Sequence, residues 1–249
     1  MKNTLRFFVD PAVLHNDEVR INDQGLAHQL GRVLRLTPGA RIWLLDGLGT
    51  ACEVELQALG RDEVRGLVQE RGPAGGELPF ALSVYLALIR PERFEWALQK
   101  CVELGVSQVV PVAFERSLPA DRAEPRRLER WQRIGREAAE QAGRGRLPQI
   151  MAPLPFAAAC EQAAKATLPV ILWEGTAPPL RKQLHHFGTT LPASCAVMSG
   201  PEGGITPAEL TFASERGIMP ASLGPRILRA ETAPVIAAGA LCYQFETGA

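Results

Sequence analysis

Two glycine-rich runs near the carboxyl terminus carry the residues best suited to hold a ligand. The first is Met198-Ser199-Gly200-Pro201-Glu202-Gly203-Gly204-Ile205-Thr206-Pro207. The second runs from Ser222-Leu223-Gly224-Pro225-Arg226-Ile227-Leu228 through Arg229-Ala230-Glu231-Thr232-Ala233. Each follows an apolar stretch that predicts a strand, and ligands of open α/β sheets sit beyond the carboxyl ends of the strands. Glycine lets backbone N–H and C=O groups approach a ligand closely. Amides that read a base edge, with Ile205, Leu223, Ile227 and Leu228 as apolar walls, make a setting for a nucleoside. Trp173 and Glu174, at the end of another predicted strand, extend that wall.

Several chemistries are excluded. Neither run reads G-x-G-x-x-G or G-x-x-x-x-G-K-[ST], so a Rossmann dinucleotide site and a P-loop lack support. Ser199 is not in a G-x-S-x-G elbow. The five cysteines (Cys52, Cys101, Cys160, Cys195 and Cys242) are scattered, with no C-x-x-C pair and no histidine spacing beside them. Reduced, mostly buried thiols in a cytoplasmic protein are expected, with no metal. The chain has no run of eighteen apolar residues, so no membrane span is expected, and its first residues lack the apolar core of an export signal.

The elements that position these runs fall into two parts. Arg71-Gly72-Pro73-Ala74-Gly75-Gly76-Glu77-Leu78-Pro79 reads as a linker, which divides the chain into domains 1–72 and 73–249. The first part predicts strands at Leu5–Val9, Ala40–Leu45, Thr50–Leu56 and Val64–Glu70, with Asp46-Gly47 as a hairpin turn. It also predicts one helix over Gln24–Leu34, whose core face is Leu26, Leu30, Val33 and Leu34. A small, partly open barrel follows. The second part alternates strands at Phe80–Leu88, Val106–Val112, Leu168–Trp173, Cys195–Ser199 and Ile218–Leu223 with helices at Pro91–Leu104, Pro125–Ala142, Leu154–Ala166, Pro178–His186, Pro207–Arg216 and Thr232–Phe245. Such alternation predicts a parallel sheet covered on both faces.

Net charge is zero, with 27 basic and 27 acidic residues, so composition alone does not point to nucleic acid. The distribution is more telling: 23 of the basic residues are Arg, and Asp121–Arg146 holds eight of them against five acids. Arg forks onto phosphate and stacks on bases, although a solvated helix face explains the same pattern. Arg32, Arg35, Arg90, Arg93, Lys100, Arg116 and the series from Arg122 to Arg136 are candidates for phosphate contact.

Taken together, Gly200-Pro201-Glu202-Gly203-Gly204 and Leu223-Gly224-Pro225-Arg226-Ile227-Leu228-Arg229-Ala230-Glu231-Thr232-Ala233 resemble the signature of the small-subunit ribosomal RNA uridine-N3 methyltransferases, in the trefoil-knotted (SPOUT) superfamily. Arg6-Phe7-Phe8, His28 with Val33-Leu34-Arg35-Leu36, Arg93–Gly105, Glu115-Arg116-Ser117 and Glu137–Arg144 are similar to the same family, so the resemblance spans nearly the whole chain. Ile205 departs from it, in place of an aromatic residue or Leu. The resemblance implies a PUA-like first domain that helps bind RNA, with Arg6 in that domain and Arg136 in the second among the residues that would contact it. It implies a second α/β domain whose last strand, loop and helix form the knot, against the usual avoidance of threading. It further implies a homodimer acting on the small ribosomal subunit or its RNA. S-adenosyl-L-methionine would be held by Trp173, Glu174, Ser199, Gly200, Pro201, Glu202, Gly203, Gly204, Leu223, Gly224, Arg226, Ile227, Leu228, Arg229, Thr232 and Ala233.

Methylation of uridine N3 is a displacement that asks for alignment, for loss of the N3 proton and for an unpaired base. Glu137, Gln141 and Arg144, three or four residues apart, share one helical face and are candidates to take the proton or to stabilise the base anion. Arg229 and Glu231 are alternatives. The competing readings are a surface ion pair of Glu137 with Arg133 or Arg136, a first-turn acid for Glu231 and an N-cap for Thr232. Trp96 and Trp131 read as packing or dimer contacts. A knotted enzyme acting on another base or on ribose 2′-OH, and a catalytically silent ribosome-assembly protein, remain the alternative functions.

Overall fold

The computed structural model describes residues 5–117, 125–188 and 190–246. Arg122, one of the candidate phosphate contacts, lies outside them. The chain forms two compact units, Met1–Glu77 with Ala139–Leu147 and Leu78–Ala138 with Pro148–Ala249. The division at residue 72 makes a single cut, whereas these units need three, because Ala139–Leu147 joins the first unit from within the second.

The first unit is a five-stranded sheet in the order β1-β3-β4-β5-β2. Its strands are β1 (Arg6–Phe8), β2 (Glu18–Ile21), β3 (Arg41–Leu45), β4 (Thr50–Leu59) and β5 (Val64–Pro73). β1 runs parallel to β3, and the other pairings are antiparallel. Register shifts between Glu53 and Val54 and between Leu56 and Ala58 break the β4–β5 ladder, and such bulges increase twist and bend the sheet. One face buries Phe7, Val19, Ile21, Ile42, Leu44, Val54, Leu56 and Val64 around Leu26 and Leu30. In the loop between β3 and β4, Asp46 Oδ1 accepts from the amides of Leu48, Gly49 and Thr50 at 2.7, 2.9 and 2.8 Å, so the expected hairpin is present. Burial pushes the Asp46 carboxyl up, and these amides together outweigh it and hold the carboxyl below its ordinary value.

Two expectations for this unit are corrected. The linker assigned to 71–79 begins too early, because β5 continues through Arg71-Gly72-Pro73, paired with Cys52, Ala51 and Thr50. β2 pairs with Val64–Leu67, and Val68 N donates to Asp17 O at 2.8 Å; beyond Val68 no strand among the described residues pairs with that side of β5, so the missing proline N–H costs no ladder bond there. The helix over Gln24–Leu34 is also not uniform. α1 (Gln24–His28) passes into a π-turn over Gln29–Val33 in which Leu34 N donates to Gln29 O at 2.9 Å. The wider turn shifts the phase of the helix, so Leu30 stays buried while Val33, expected in the core, is 64% exposed. Arg35 follows with φ at 53°, a conformation uncommon for a residue with a Cβ.

The second unit is a seven-stranded parallel sheet, β12-β10-β11-β6-β7-β8 with β9 also on β7. Its strands are β6 (Ala81–Ala87), β7 (Gln108–Ala113), β8 (Gln149–Ile150), β9 (Leu154–Pro155), β10 (Leu168–Leu172), β11 (Ser194–Ser199) and β12 (Met219–Ala221). Its helices are α2 (Pro91–Glu103), α3 (Pro125–Gln141), α4 (Phe156–Ala163), α5 (Leu180–Phe187), α6 (Pro207–Ser214) and α7 (Thr232–Phe245). β10 is buried along its whole length, as a strand covered on both faces must be. β11 inserts between β6 and β10 although β10 precedes it in the chain, and α7 returns to pack on β6, β11 and α2. Among the described residues, no helix is long and apolar enough to cross a membrane, and no group of three or more His, Cys, Asp or Glu side chains is arranged to hold a metal.

All five cysteines are free and buried. Burial pushes the thiols of Cys101, Cys160 and Cys195 up to about 12 and that of Cys242 to about 11. Thiolate is therefore scarce at neutral pH. An aromatic disulfide reagent at pH 8 is expected to label none of them in the folded protein and all five after unfolding. Rapid labelling of the folded chain would contradict this burial.

Candidate functional site

Three parallel strands deliver the site. β10 ends at Leu172 and continues into Trp173 and Glu174. β11 ends at Ser199 and opens into the first glycine loop, and β12 ends at Ala221 before Ser222-Leu223-Gly224. A cavity of about 440 Å³ lies between these ends and the loop that enters α7. Its wall comprises Arg93, Leu172, Trp173, Glu174, Ser199, Gly200, Pro201, Glu202, Gly204, Ala221, Ser222, Leu223, Gly224, Arg226, Ile227, Leu228, Arg229, Ala230 and Ala233. Both glycine-rich runs therefore face one hollow.

Local chemistry holds each loop. Gly204 N donates to Pro201 O at 2.9 Å, closing a turn over Pro201–Gly204. A Cβ on Gly200 would lie 2.4 Å from Ile205 Cγ1, so only glycine lets Ile205 seat under the loop. Gly204 has φ at 76°, and a Cβ there would meet Glu174 Oε1 at 2.9 Å. Thr206 then caps α6: its hydroxyl accepts from Glu209 N, and Glu209 Oε2 accepts from Thr206 N at 2.9 Å. The second oxygen of buried Glu209 accepts from Glu115 N at 2.7 Å, and Thr206 Oγ1 donates to Glu115 Oε2 at 3.3 Å. Arg116 donates to Gly203 O at 3.0 Å. The segment after β7 is thus clamped to the back of the glycine loop. On the other side, Trp173 N donates to Ala221 O at 3.0 Å, and Ser222 exchanges backbone bonds with Pro178 and Leu180, at 2.9 Å each.

The wall takes in every residue expected to hold the cofactor except two. Gly203 and Thr232 are absent from the wall: Gly203 packs on Arg116, and Thr232 is the first residue inside α7. Thr232 is not the N-cap; Glu231 holds that position without a capping bond, so Glu231 is not a first-turn acid either. Among the proposed chemical groups, Arg229 lines the cavity, whereas Glu137, Gln141 and Arg144 do not. The single helical face assumed for these three fails because α3 ends at Gln141. The chain reverses at Gly143, and Arg144, 1% exposed, forks onto Glu77 at 2.7 and 3.3 Å inside the first unit. Glu137 and Gln141 are exposed.

Of the expected phosphate contacts, Arg32, Arg35, Arg90 and Arg136 are exposed. Arg6 donates to Gly143 O at 2.7 Å, and Lys100 to Glu103 at 2.7 Å. Arg93 instead reaches the cavity wall, hydrogen-bonded to Glu202. Leu172, Ala221, Ser222 and Ala230 also line the cavity. The first two are the terminal residues of their strands, a signal available to a reading that follows each strand to its last side chain. Trp131 is buried against Phe94, with ring centroids 4.4 Å apart, and Trp96 is partly exposed.

Comparison with known proteins gives the same picture. The RNA methyltransferase domain family matches residues 76–242, and the RNA methyltransferase PUA domain family matches residues 17–69. The chain is 39% identical to the ribosomal RNA small subunit methyltransferase E of Synechocystis sp., over 84% of this chain and 68% of that protein. It is 32% identical to the protein of that name from Bacillus subtilis, over 88% of each. Among solved structures, it resembles the ribosomal RNA small subunit methyltransferase E of Neisseria gonorrhoeae bound to S-adenosyl methionine. That match has a TM-score of 0.87 and 30% identity, over 97% of this chain and 98% of that one.

Removing Glu209 would orphan the Thr206 amide in a buried setting and the Glu115 amide in a partly buried one. E209A is expected to lower the unfolding free energy by about 2–3 kcal/mol, on the scale of unsatisfied buried groups, as read by urea titration. E209Q, which retains one acceptor, should lose less.

Proposed function

This chain belongs to the ribosomal RNA small subunit methyltransferase E family, and from that premise we propose that it transfers a methyl group from S-adenosylmethionine to N3 of a uridine in small-subunit ribosomal RNA. The observation that carries this reading is the single hollow walled by both glycine-rich loops at the carboxyl ends of β10, β11 and β12. Its volume falls within the range of about 300–1,000 Å³ usual for small-molecule sites. Its donor set fits the ligand. Leu172, Trp173, Leu223, Leu228 and Ala233 offer apolar surface to an adenine ring. Glu174 and Glu202 suit the sulfonium and ammonium charges, and Arg93, Arg226 and Arg229 suit the carboxylate. Bound S-adenosylmethionine supplies an electrophilic methyl carbon on sulfur.

The chain's own part is alignment and charge. The target base must leave its helix so that N3 faces the methyl carbon. As the N3–C bond forms, the C–S bond breaks with its electron pair going to sulfur, and the N3 proton leaves to solvent. Loss of that proton puts negative charge on N3 and on the two flanking carbonyl oxygens, and bond formation to the methyl carbon discharges it. Arg229, the one proposed chemical group on the cavity wall, is assigned to stabilise that charge.

Four further readings accompany this one. The run from β12 through the loop to α7 forms the trefoil knot, supported by the insertion of β11 between β10 and β6 and the return of α7 onto both β6 and β11. The enzyme is a homodimer: Ile236 and Tyr243, 50% and 92% exposed, lie two turns apart on α7 and leave an apolar face uncovered. It acts in the cytoplasm, where small-subunit RNA is made and assembled. In the first domain, exposed Arg32 within the π-turn and Arg35 just after it are assigned to RNA phosphates.

The function is tested by incubating the protein with methyl-labelled S-adenosylmethionine and small-subunit RNA, then digesting the RNA to nucleosides. 3-Methyluridine is expected. Label in a 2′-O-methyl nucleoside, or none at all, would reject the reading. Separately, R32A and R35A should each reduce the slope of log affinity against log salt by about one, and a residue whose removal leaves the slope unchanged has no phosphate contact.

A further inference from the structure

Beside the cavity, Glu231 presents a buried carboxylate whose geometry the methyl-transfer reading does not yet use. It is only 9% exposed, and its Oε2 makes no hydrogen bond among the described residues. It stands at the N-cap of α7 yet caps nothing. Ser, Thr, Asp or Asn at that position would satisfy a helix amide, so local stability does not account for glutamate. Its Oε1 lies 3.8 Å from Arg93 Nε and 3.9 Å from Arg229 NH1. Both arginines line the cavity, and Glu231 does not.

The backbone of Arg229 is fixed while its side chain is largely exposed. Arg229 O accepts from the amides of Thr232 and Ala233 at 2.9 and 3.0 Å, and Ser199 Oγ lies 3.5 Å from Ala230 O, tying the start of α7 to the end of β11. The Arg229 side chain is 76% exposed. A long cation on a fixed backbone samples many rotamers unless a counter-charge selects among them. Arg93 is already bonded to Glu202. Arg229 has its ion-pair contact at Glu231.

We infer that Glu231 is a positioning residue that holds the Arg229 guanidinium at the cavity wall, ready for the charge that develops on the base as N3 loses its proton. This rests on the methyl-transfer reading above. Glu231 touches no reacting atom; it acts through Arg229, with Arg93 and Glu202 completing an alternating row of charges. The row predicts a split between rate and binding. Neutralising Glu231 leaves the cavity mouth more positive, so RNA should bind no more weakly, while transfer slows because Arg229 is no longer held.

The test compares full-length wild type, E231Q, R229A and the double variant. E231Q is expected to keep its unfolding midpoint and its calorimetric affinity for S-adenosylmethionine. Its kcat should fall on the order of 10- to 100-fold, less than the ~100- to 1,000-fold cost of losing a direct donor, with KM for RNA unchanged or lower. The double variant should be no slower than R229A, since residues acting as one unit are not additive. An unchanged kcat in E231Q, a rise in KM alongside the fall in kcat, or losses that multiply in the double variant would each overturn the inference. If wild type yields no 3-methyluridine, the functional reading fails instead. The coupling is then read from binding to a small-subunit RNA fragment: E231Q should steepen the salt slope by about one, and should not do so when Arg229 is absent. A slope that ignores Arg229 would overturn the coupling on its own.

Discussion

In the parallel sheet, Leu172 lies opposite Ser199 on one side and opposite Ala221 on the other. That register stops β10, β11 and β12 at one level, so the three chains leaving them diverge around a common space. A shift of one residue in either pairing would stagger the strand ends and turn alternate side chains to the opposite face. The fit of the glycine loops, the seating of Ile205 beneath Gly200 and the return of α7 all presuppose these level ends. The register is held by strands with almost no exposed surface, such as β10 with every residue buried. A fully buried strand thus sits directly beneath the part that must meet a ligand.

Above that base, two buried glutamates do opposite things. Glu209 is fully engaged: it accepts one amide from its own helix cap and one from the segment after β7, so a single carboxylate fixes the glycine loop relative to a neighbouring strand. Glu231 is left with an unpaired oxygen. A satisfied buried carboxylate contributes order, and an unsatisfied one stands out as a site whose geometry answers to something other than stability. The contrast lies within one unit and within about twenty residues of sequence, so overall composition does not explain it.

The parts of this molecule that were legible in the sequence are those encoded by neighbours. Glycine and proline mark the two loops, continuous apolar runs mark the buried parallel strands, and Trp173 at a strand end marks a wall position. Other features depend on partners distant in the chain. Nothing near Arg144 announces Glu77, sixty-seven residues away, and helical spacing assigns Arg144 to a face that the turn at Gly143 removes. The π-turn at Gln29–Val33 is a one-residue change of pitch that no periodicity of so short a segment resolves. β8 and β9 have two residues each, too few to show a period. β2 is different: Glu18-Val19-Arg20-Ile21 alternates polar and apolar residues, and its exposed and buried positions follow that period of two.

The charge pattern narrows once the contacts are known. An arginine-rich chain with no net charge suggests a surface ready for phosphate, but several of those cations are already committed. Arg144 is spent on Glu77, Arg6 on the Gly143 carbonyl, Lys100 on Glu103 and Arg116 on the Gly203 carbonyl. Part of the donor set of each such cation is already engaged, so its gain from RNA is smaller than that of an uncommitted one. Arg93 and Arg229 face the cavity and are balanced by Glu202 and Glu231. On the proposed reading, RNA affinity then falls to exposed positions such as Arg32, Arg35 and Arg90, while the cavity arginines act on the reacting base. A neutral chain can serve a polyanionic substrate on these terms, because its acids are used to aim its cations.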